Sequence, residues 1–366
     1  MRGLGKIVGR ITAAHRALDQ ASGELRGGPF EEMTNFGSNP GKLFARTFVP
    51  DNLASGAPLV VVLHGCTQNA ALYDKGSGWS ELAAREGFAL LYPEQQRSNN
   101  PNLCFNWYLP GDASRGRGEA QSVSQMVTQM VARYGLDRSR VYVTGLSAGG
   151  AMASVMLATY PDLFAGGAVI AGLPFASARS LPEALERMRG RGGPTRRLLA
   201  SRARAAADHS GPMPSLSVWH GTQDSIVDPS NAGALVDQWR DIHGLGESAS
   251  SVEKIGQHRR EIWRDSNGRA IVERYDIQGM AHGTPLATGG EDALGVAGPH
   301  MLNAGISSTR RIAEFWGLSA PVEAAAISSV RHPKASPGPA TQARPANDYG
   351  PGKIIEDALR AAGLMR

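Results

Sequence analysis

Ser147, Asp224 and His282 are the side chains whose types and settings could carry out acyl transfer. Ser147 lies in Gly145-Leu146-Ser147-Ala148-Gly149. Before it, Val141, Tyr142 and Val143 read as a buried strand; after it, Met152, Val155, Met156 and Ala158 follow helical spacing. Small residues on both flanks let the backbone bend sharply and lift the hydroxyl clear of a sheet, although an ordinary strand-to-helix turn can have the same composition. A serine hydroxyl is a weak nucleophile at neutral pH, so it needs a base within hydrogen-bond reach and a third group to orient that base. His282, within Gly279-Met280-Ala281-His282-Gly283, is the expected base, and Asp224, just past His220-Gly221, is the expected orienting acid. Asp228 competes for that role, but it precedes Pro229 and reads as the cap of a helix. His64 and His220 adjoin glycines at strand ends and read as structural, while His15, His209, His243, His258, His300 and His332 sit in segments with no motif.

Acyl transfer also builds negative charge on the carbonyl oxygen, and losing one N–H donor to that oxygen typically costs ~10²- to 10³-fold in rate. Ala148, the residue after the nucleophile, supplies one backbone donor, and Cys66 after His64-Gly65 is the best candidate for the other. The rival role for Cys66 is a reactive thiol, but no cationic partner or separate base is assigned to it. With only Cys66 and Cys104 present, a zinc site built on cysteine is excluded and one disulfide is permitted. The chemistry requires no metal and no cofactor.

Those residues need rigid elements behind them. Leu59 to Leu63 is a continuous apolar run, as expected of a parallel strand covered on both faces. Leu43 to Val49 reads as the first strand, and Phe88 to Tyr92 as another, stopped by Pro93. Helices are expected around Trp79, Leu82 and Ala83, and from Glu119 to Tyr134. Further strands fall at Ala168 to Ala171, at Leu216 to His220 and within 252–278, before a last helix from Ile306 to Trp316. The alternation predicts an α/β fold with a doubly wound, mostly parallel sheet and helices on both faces. The order Ser147, Asp224, His282 is that of α/β-hydrolases. An arginine-rich insertion at about 176–214 reads either as a cap or as a solvated helical excursion.

The composition is globular, with 42% hydrophobic and 19% charged residues and no apolar run long enough to span a bilayer. The net charge of +5 lacks the interleaved aromatics or basic helical stripe of a nucleic-acid groove. Three regions are expected: an amphipathic extension at 1–35, a catalytic domain at 36–318, and a Pro-rich flexible tail at 319–366 ending in a short helix. Leu4, Ile7, Val8, Ile11, Ala14 and Leu18 share one helical face, but Arg10, His15 and Arg16 interrupt any apolar core of a secretory signal.

Leu63 to Gln68, Tyr92 to Gln95, Asn100 to Trp107, Gly118-Glu119, Thr144 to Gly150 and Ala165 to Gly172 together resemble the polyhydroxybutyrate depolymerase family of esterases, over about residues 40 to 317. The resemblance implies a serine carboxylesterase acting on hydroxyalkanoate esters or polyhydroxybutyrate, with Ser147, Asp224 and His282 as its triad. It also implies a Cys66–Cys104 disulfide and an extracellular location, although no recognisable signal peptide or separate polymer-binding domain is evident. Feruloyl or acetylxylan esterase activity on plant cell-wall esters is the nearest alternative. Trp107 and Trp79 are candidates for an apolar substrate wall, with core packing as the other role for Trp79. The amphipathic ends, Leu4 to Leu18 and Ile354 to Leu364, suggest a reading of another class: an interaction protein that contacts a polymer granule or membrane surface.

Overall fold

The computed structural model describes residues 29–290 and 293–321, so both amphipathic ends and the Pro-rich tail lie outside the described residues. The chain divides into two units between Ala320 and Pro321, and all the elements below belong to the first. In chain order the strands are β1 (Glu31–Glu32), β2 (Phe44–Phe48), β3 (Leu59–Leu63), β4 (Ala89–Glu94), β5 (Val141–Leu146), β6 (Gly166–Ile170), β7 (Ser215–Gly221), β8 (Ser251–Ile255), β9 (His258–Arg264), β10 (Ala270–Ile277), β11 (Thr284–Leu286) and β12 (Met301–Asn303). The helices are α1 (Ala70–Ser77), α2 (Trp79–Glu86), α3 (Gly118–Tyr134), α4 (Ala148–Thr159), α5 (Leu181–Met188), α6 (Arg196–Ala206), α7 (Ser230–His243) and α8 (Ser308–Phe315).

Ten strands form one sheet in the order β1-β2-β4-β3-β5-β6-β7-β10-β9-β8. The run from β4 to β10 is parallel, and both edges are antiparallel. Alternation along β3 sets the two cores: Leu59, Val61 and Leu63 join one, Val60 and Val62 the other, and all five are fully buried. Each such side chain contributes about 1.5–3 kcal/mol relative to exposure. Met126 and Met130 of α3, Met152 and Val155 of α4, Ala203 of α6 and Trp239 of α7 cover the first face. Tyr73 of α1, Leu82 of α2 and Ile312 of α8 cover the second. The fold is therefore the doubly wound α/β sheet expected from the sequence.

Local details depart from the expectation. Pro93 does not stop its strand: β4 runs through it to Glu94, with Pro93 opposite Ala45 of β2. The ladder between β3 and β4 ends at Leu91, so the missing N–H of Pro93 falls beyond the buried side of the pairing. Helix α1 was not foreseen; the Asn69 side chain caps it by accepting the Leu72 N–H at 2.9 Å. The insertion forms α5 and α6, and it is not merely a solvated excursion, because Ala184, Ala200 and Ala203 are buried in the first core. Among the described residues, no helix is long and apolar enough to cross a membrane.

Candidate active site

Residue 147 sits where β5 stops and α4 starts. Its φ of 57° and ψ of −118° lie outside the ordinary wells for a side-chain-bearing residue. Such a conformation costs about 1–3 kcal/mol and persists only where the surroundings impose it. Here the Ser147 N–H donates to Ile170 O of β6 at 2.9 Å. Gly149 packs so closely on the end of β3 that a Cβ there would stand 2.3 Å from Leu63 O. The glycine permits the bend, and the bend presents the partly exposed serine at the C-terminal edge of the sheet, ahead of a helix N-terminus.

Asp224 follows β7 and His282 follows β10, the neighbouring parallel strand, and hydrogen bonds lace the two loops together. Thr222 N–H donates to Ile277 O at 3.0 Å, Gln223 N–H to Met280 O at 3.0 Å, and Gly279 N–H to Thr222 Oγ1 at 2.9 Å. Gly221 has no room for a side chain, since a Cβ would lie 2.2 Å from Met280 O. Through this lacing His282 Nδ1 meets Asp224 Oδ2 at 2.7 Å, with both side chains buried. Asp224 Oδ1 accepts the N–H groups of Ile226 and Val227, each at 2.9 Å. Burial alone would push the Asp224 carboxyl up, but hydrogen bonds from His220 and His282 prevail and hold it well below the ordinary carboxylate range. Asp228 is not bonded to His282: its Oδ1 accepts the Ser230 N–H at 2.9 Å at the start of α7, one residue before the helix's N-cap position at Pro229.

Two further histidines flank the pair. His220 Nε2 lies 2.8 Å from Val227 O and 3.3 Å from Asp224 Oδ2, so its N–H is shared between the loop backbone and the carboxylate. Four residues separate His220 from Asp224, and a strand end followed by a tight turn folds the ring back over the acid; that spacing was the available signal. His300 Nδ1 donates to the carbonyl of His282 at 3.2 Å, and the two rings meet edge-on with centroids 5.7 Å apart. Burial lowers the His300 pKa, and no local motif marks the residue. Replacing His220 by leucine is expected to lower kcat/KM for a small ester about tenfold, the worth of one hydrogen bond to a charged group. His220→Gln, which keeps a donor, should recover most of that loss in steady-state kinetics.

Cys66 lies on the turn after β3 and is bonded to Cys104 by a disulfide with Cα atoms 4.3 Å apart. Around it Gly65 N–H donates to Gln68 Oε1 at 2.9 Å and Thr67 N–H to Asn102 O at 2.7 Å, whereas the Cys66 N–H has no acceptor among the described residues. His64 is structural, as expected. Its Nδ1 donates to Gly65 O at 2.8 Å, its Nε2 accepts the Gln95 N–H at 3.1 Å, and burial lowers its pKa. Behind the disulfide, Glu119 takes N–H groups from Gln95 and from the Asn106 backbone and side chain at 2.6 to 2.8 Å. Burial, reinforced by nearby Asp112, pushes the Glu119 carboxyl up to about 8 against the pull of those donors. The bridge closes a 38-residue separation. Replacing both cysteines by serine should therefore cost about 4 kcal/mol, measurable by denaturant unfolding. Among the described residues, no cluster of three His, Cys, Asp or Glu side chains is arranged to hold a metal ion.

Residues 44–264 match the family described as Esterase PHB depolymerase. Over 289 residues the chain is 44% identical to poly(3-hydroxyalkanoate) depolymerase C of Paucimonas lemoignei, covering 78% of this chain and 70% of that protein. The chain belongs to the esterase PHB depolymerase family. This esterase is also 35% identical to acetylxylan esterase A of Aspergillus oryzae, covering 69% of this chain and 85% of that one. The acetyl xylan esterase structure from Aspergillus awamori superposes with a TM-score of 0.68 at 26% identity, over 80% of this chain and 100% of that chain. The esterase has the α/β-hydrolase fold and is a hydrolase of carboxylic ester bonds.

The two tryptophans of this esterase separate. Trp107 lines a cavity of about 310 Å³ together with Phe175. Trp79 does not serve there. It is 1% exposed in the core of the opposite sheet face, stacked on Trp316 at 5.9 Å and edge-on to Phe88 at 6.3 Å, which leaves no face for a ligand.

Proposed function

We propose that residues 36–318 form a serine carboxylesterase domain that cleaves hydroxyalkanoate esters, including oligomers of polyhydroxybutyrate, through an acyl-enzyme. Ser147 Oγ attacks the ester carbonyl while His282 Nε2 takes its proton. The 2.7 Å bond from His282 Nδ1 to Asp224 carries this reading, because it fixes the tautomer that leaves Nε2 free to accept. The N–H groups of Cys66 and Ala148 receive the developing oxyanion. His282 then protonates the leaving alkoxide, and a water that loses its proton to His282 attacks the acyl-serine, freeing the acid and restoring the hydroxyl.

The Paucimonas relative supports the hydroxyalkanoate assignment through its name and its 44% identity. The Aspergillus awamori match, which spans that whole chain, favours acetylated xylan as a second reading. A product panel separates them: 3-hydroxybutyrate released from oligomers supports the first, and acetate from xylan, or ferulate, supports the second. Contact with a polymer granule or membrane through Leu4 to Leu18 and Ile354 to Leu364 is a further part of the proposal. It predicts co-sedimentation with granules that survives Ser147→Ala and is lost when both ends are deleted.

A further inference from the structure

We infer that the arginine-bearing insertion completes a carboxylate-binding subsite that receives the free acid end of a hydroxyacid oligomer; the inference rests on the hydroxyalkanoate reading above. The cavity of about 310 Å³ lies between the loop carrying Trp107 and Tyr108, the segment after β6 carrying Phe175 and Arg179, and α6 with Arg202 and Ala206. Both of the first two walls continue segments that frame the nucleophile. Trp107 comes three residues after Cys104, which is bonded to Cys66, and Phe175 comes five residues after Ile170, whose carbonyl accepts the Ser147 N–H.

One wall is apolar. Trp107 is 7% exposed and Phe175 8%, and Tyr108 meets Trp107 edge-on at 5.5 Å. The other wall is cationic. Arg202 Nη1 donates to Ala176 O at 2.7 Å, which pins the guanidinium at the rim and leaves its other N–H groups for a ligand. The nearest acid in sequence to Arg179, Glu183, spends a carboxylate oxygen on the Arg179 backbone N–H at 2.9 Å, and not on its guanidinium. Among the described residues, no Asp or Glu lines the cavity and neither arginine has a carboxylate partner. Arg196 on the same helix as Arg202 differs, since it faces Asp237, Asp241 and Glu247 within 4 Å.

Two unpaired guanidinium groups beside an aromatic wall suit a small apolar body that ends in a carboxylate. A hydroxyacid oligomer presents that at one end only. The interior of a polyester and an acetyl group on xylan present no anion.

The test compares kcat/KM for 3-hydroxybutyrate dimer, trimer and tetramer with kcat/KM for their methyl esters, at low ionic strength. The unmodified enzyme should prefer the free acid at one or more lengths by roughly 10- to 100-fold, mainly through KM, as one or two charge-assisted bonds provide. The Arg179→Gln/Arg202→Gln variant, with its thermal midpoint unchanged, should bring that ratio close to one, and added salt should shrink it. Equal rates on acid and methyl ester at every length would overturn the inference, as would a preference that survives both substitutions. If no oligomer is cleaved in either form, the hydroxyalkanoate reading falls separately. Calorimetric titration of Ser147→Ala with the dimer acid then decides the subsite: binding that depends on the two arginines upholds it, and absent or arginine-independent binding ends it.

Discussion

Replacing Ser147 by alanine is expected to lower kcat on a p-nitrophenyl ester by about 10⁵- to 10⁶-fold, with the chain still folded. The side chain is partly exposed on a helix-leading turn, so losing its oxygen empties no core position. Alanine keeps the Cβ, so it bears the same φ of 57° with no new clash. The acid and base loops remain joined through their own hydrogen bonds, because none of the contacts between Thr222, Gln223, Ile277, Gly279 and Met280 involves residue 147. What is lost is the nucleophile, and the oxyanion donors and bound water retain only a small residual catalysis. Steady-state turnover with a check on the thermal midpoint measures this. A loss smaller than about tenfold would remove Ser147 from the chemistry.

The second large effect is expected from Asp224→Asn, about 10⁴-fold in kcat. The geometry decides which way the amide must sit. Oδ1 accepts two backbone N–H groups, from Ile226 and Val227 at 2.9 Å each, so the amide oxygen takes that place. The NH₂ then faces His282 Nδ1 at the position where Oδ2 stands 2.7 Å away. A donor there forces the proton of the imidazole onto Nε2, and the ring can no longer accept from the serine. The substitution also changes stability against pH. The folded pKa of Asp224 lies below its unfolded value, so its contribution is present above about pH 3.9 and is lost as pH falls through the folded pKa. The variant should lack that contribution, and its midpoint should fall less steeply than wild type in acid.

Much of this was legible in the residues themselves. The five apolar residues of β3 announced a strand buried on both faces, and the elbow was readable because glycines and alanine flank the serine. The contact between Asp224 and His282 was readable because each follows a strand and sits among residues that loops favour. Trp79 was not, because a tryptophan heading a helix looks the same whether it faces a cleft or the other side of the sheet. Its stacking on Trp316, far away in sequence, fixes it in the core. His220 reads as structural, and it does hydrogen-bond the Val227 carbonyl, but its contact with Asp224 was not read although the four-residue spacing allowed it; His300 was passed over because its contact with the His282 carbonyl forms only in the folded loops. Pro93 misled because its cost in a strand depends on which neighbour needs its N–H, and the ladder to β3 has already ended. The insertion showed its arginines, but not that two of them line a cavity with Trp107.

Labelling with a fluorophosphonate ester, followed by peptide mass spectrometry, tests the central assignment most directly. The account predicts one adduct, on Ser147 within the peptide spanning 145–149. Its formation should be slowed by about 10³-fold or more in His282→Ala and abolished in Ser147→Ala. An adduct on another residue, or labelling of Ser147 at the same rate without His282, would contradict it.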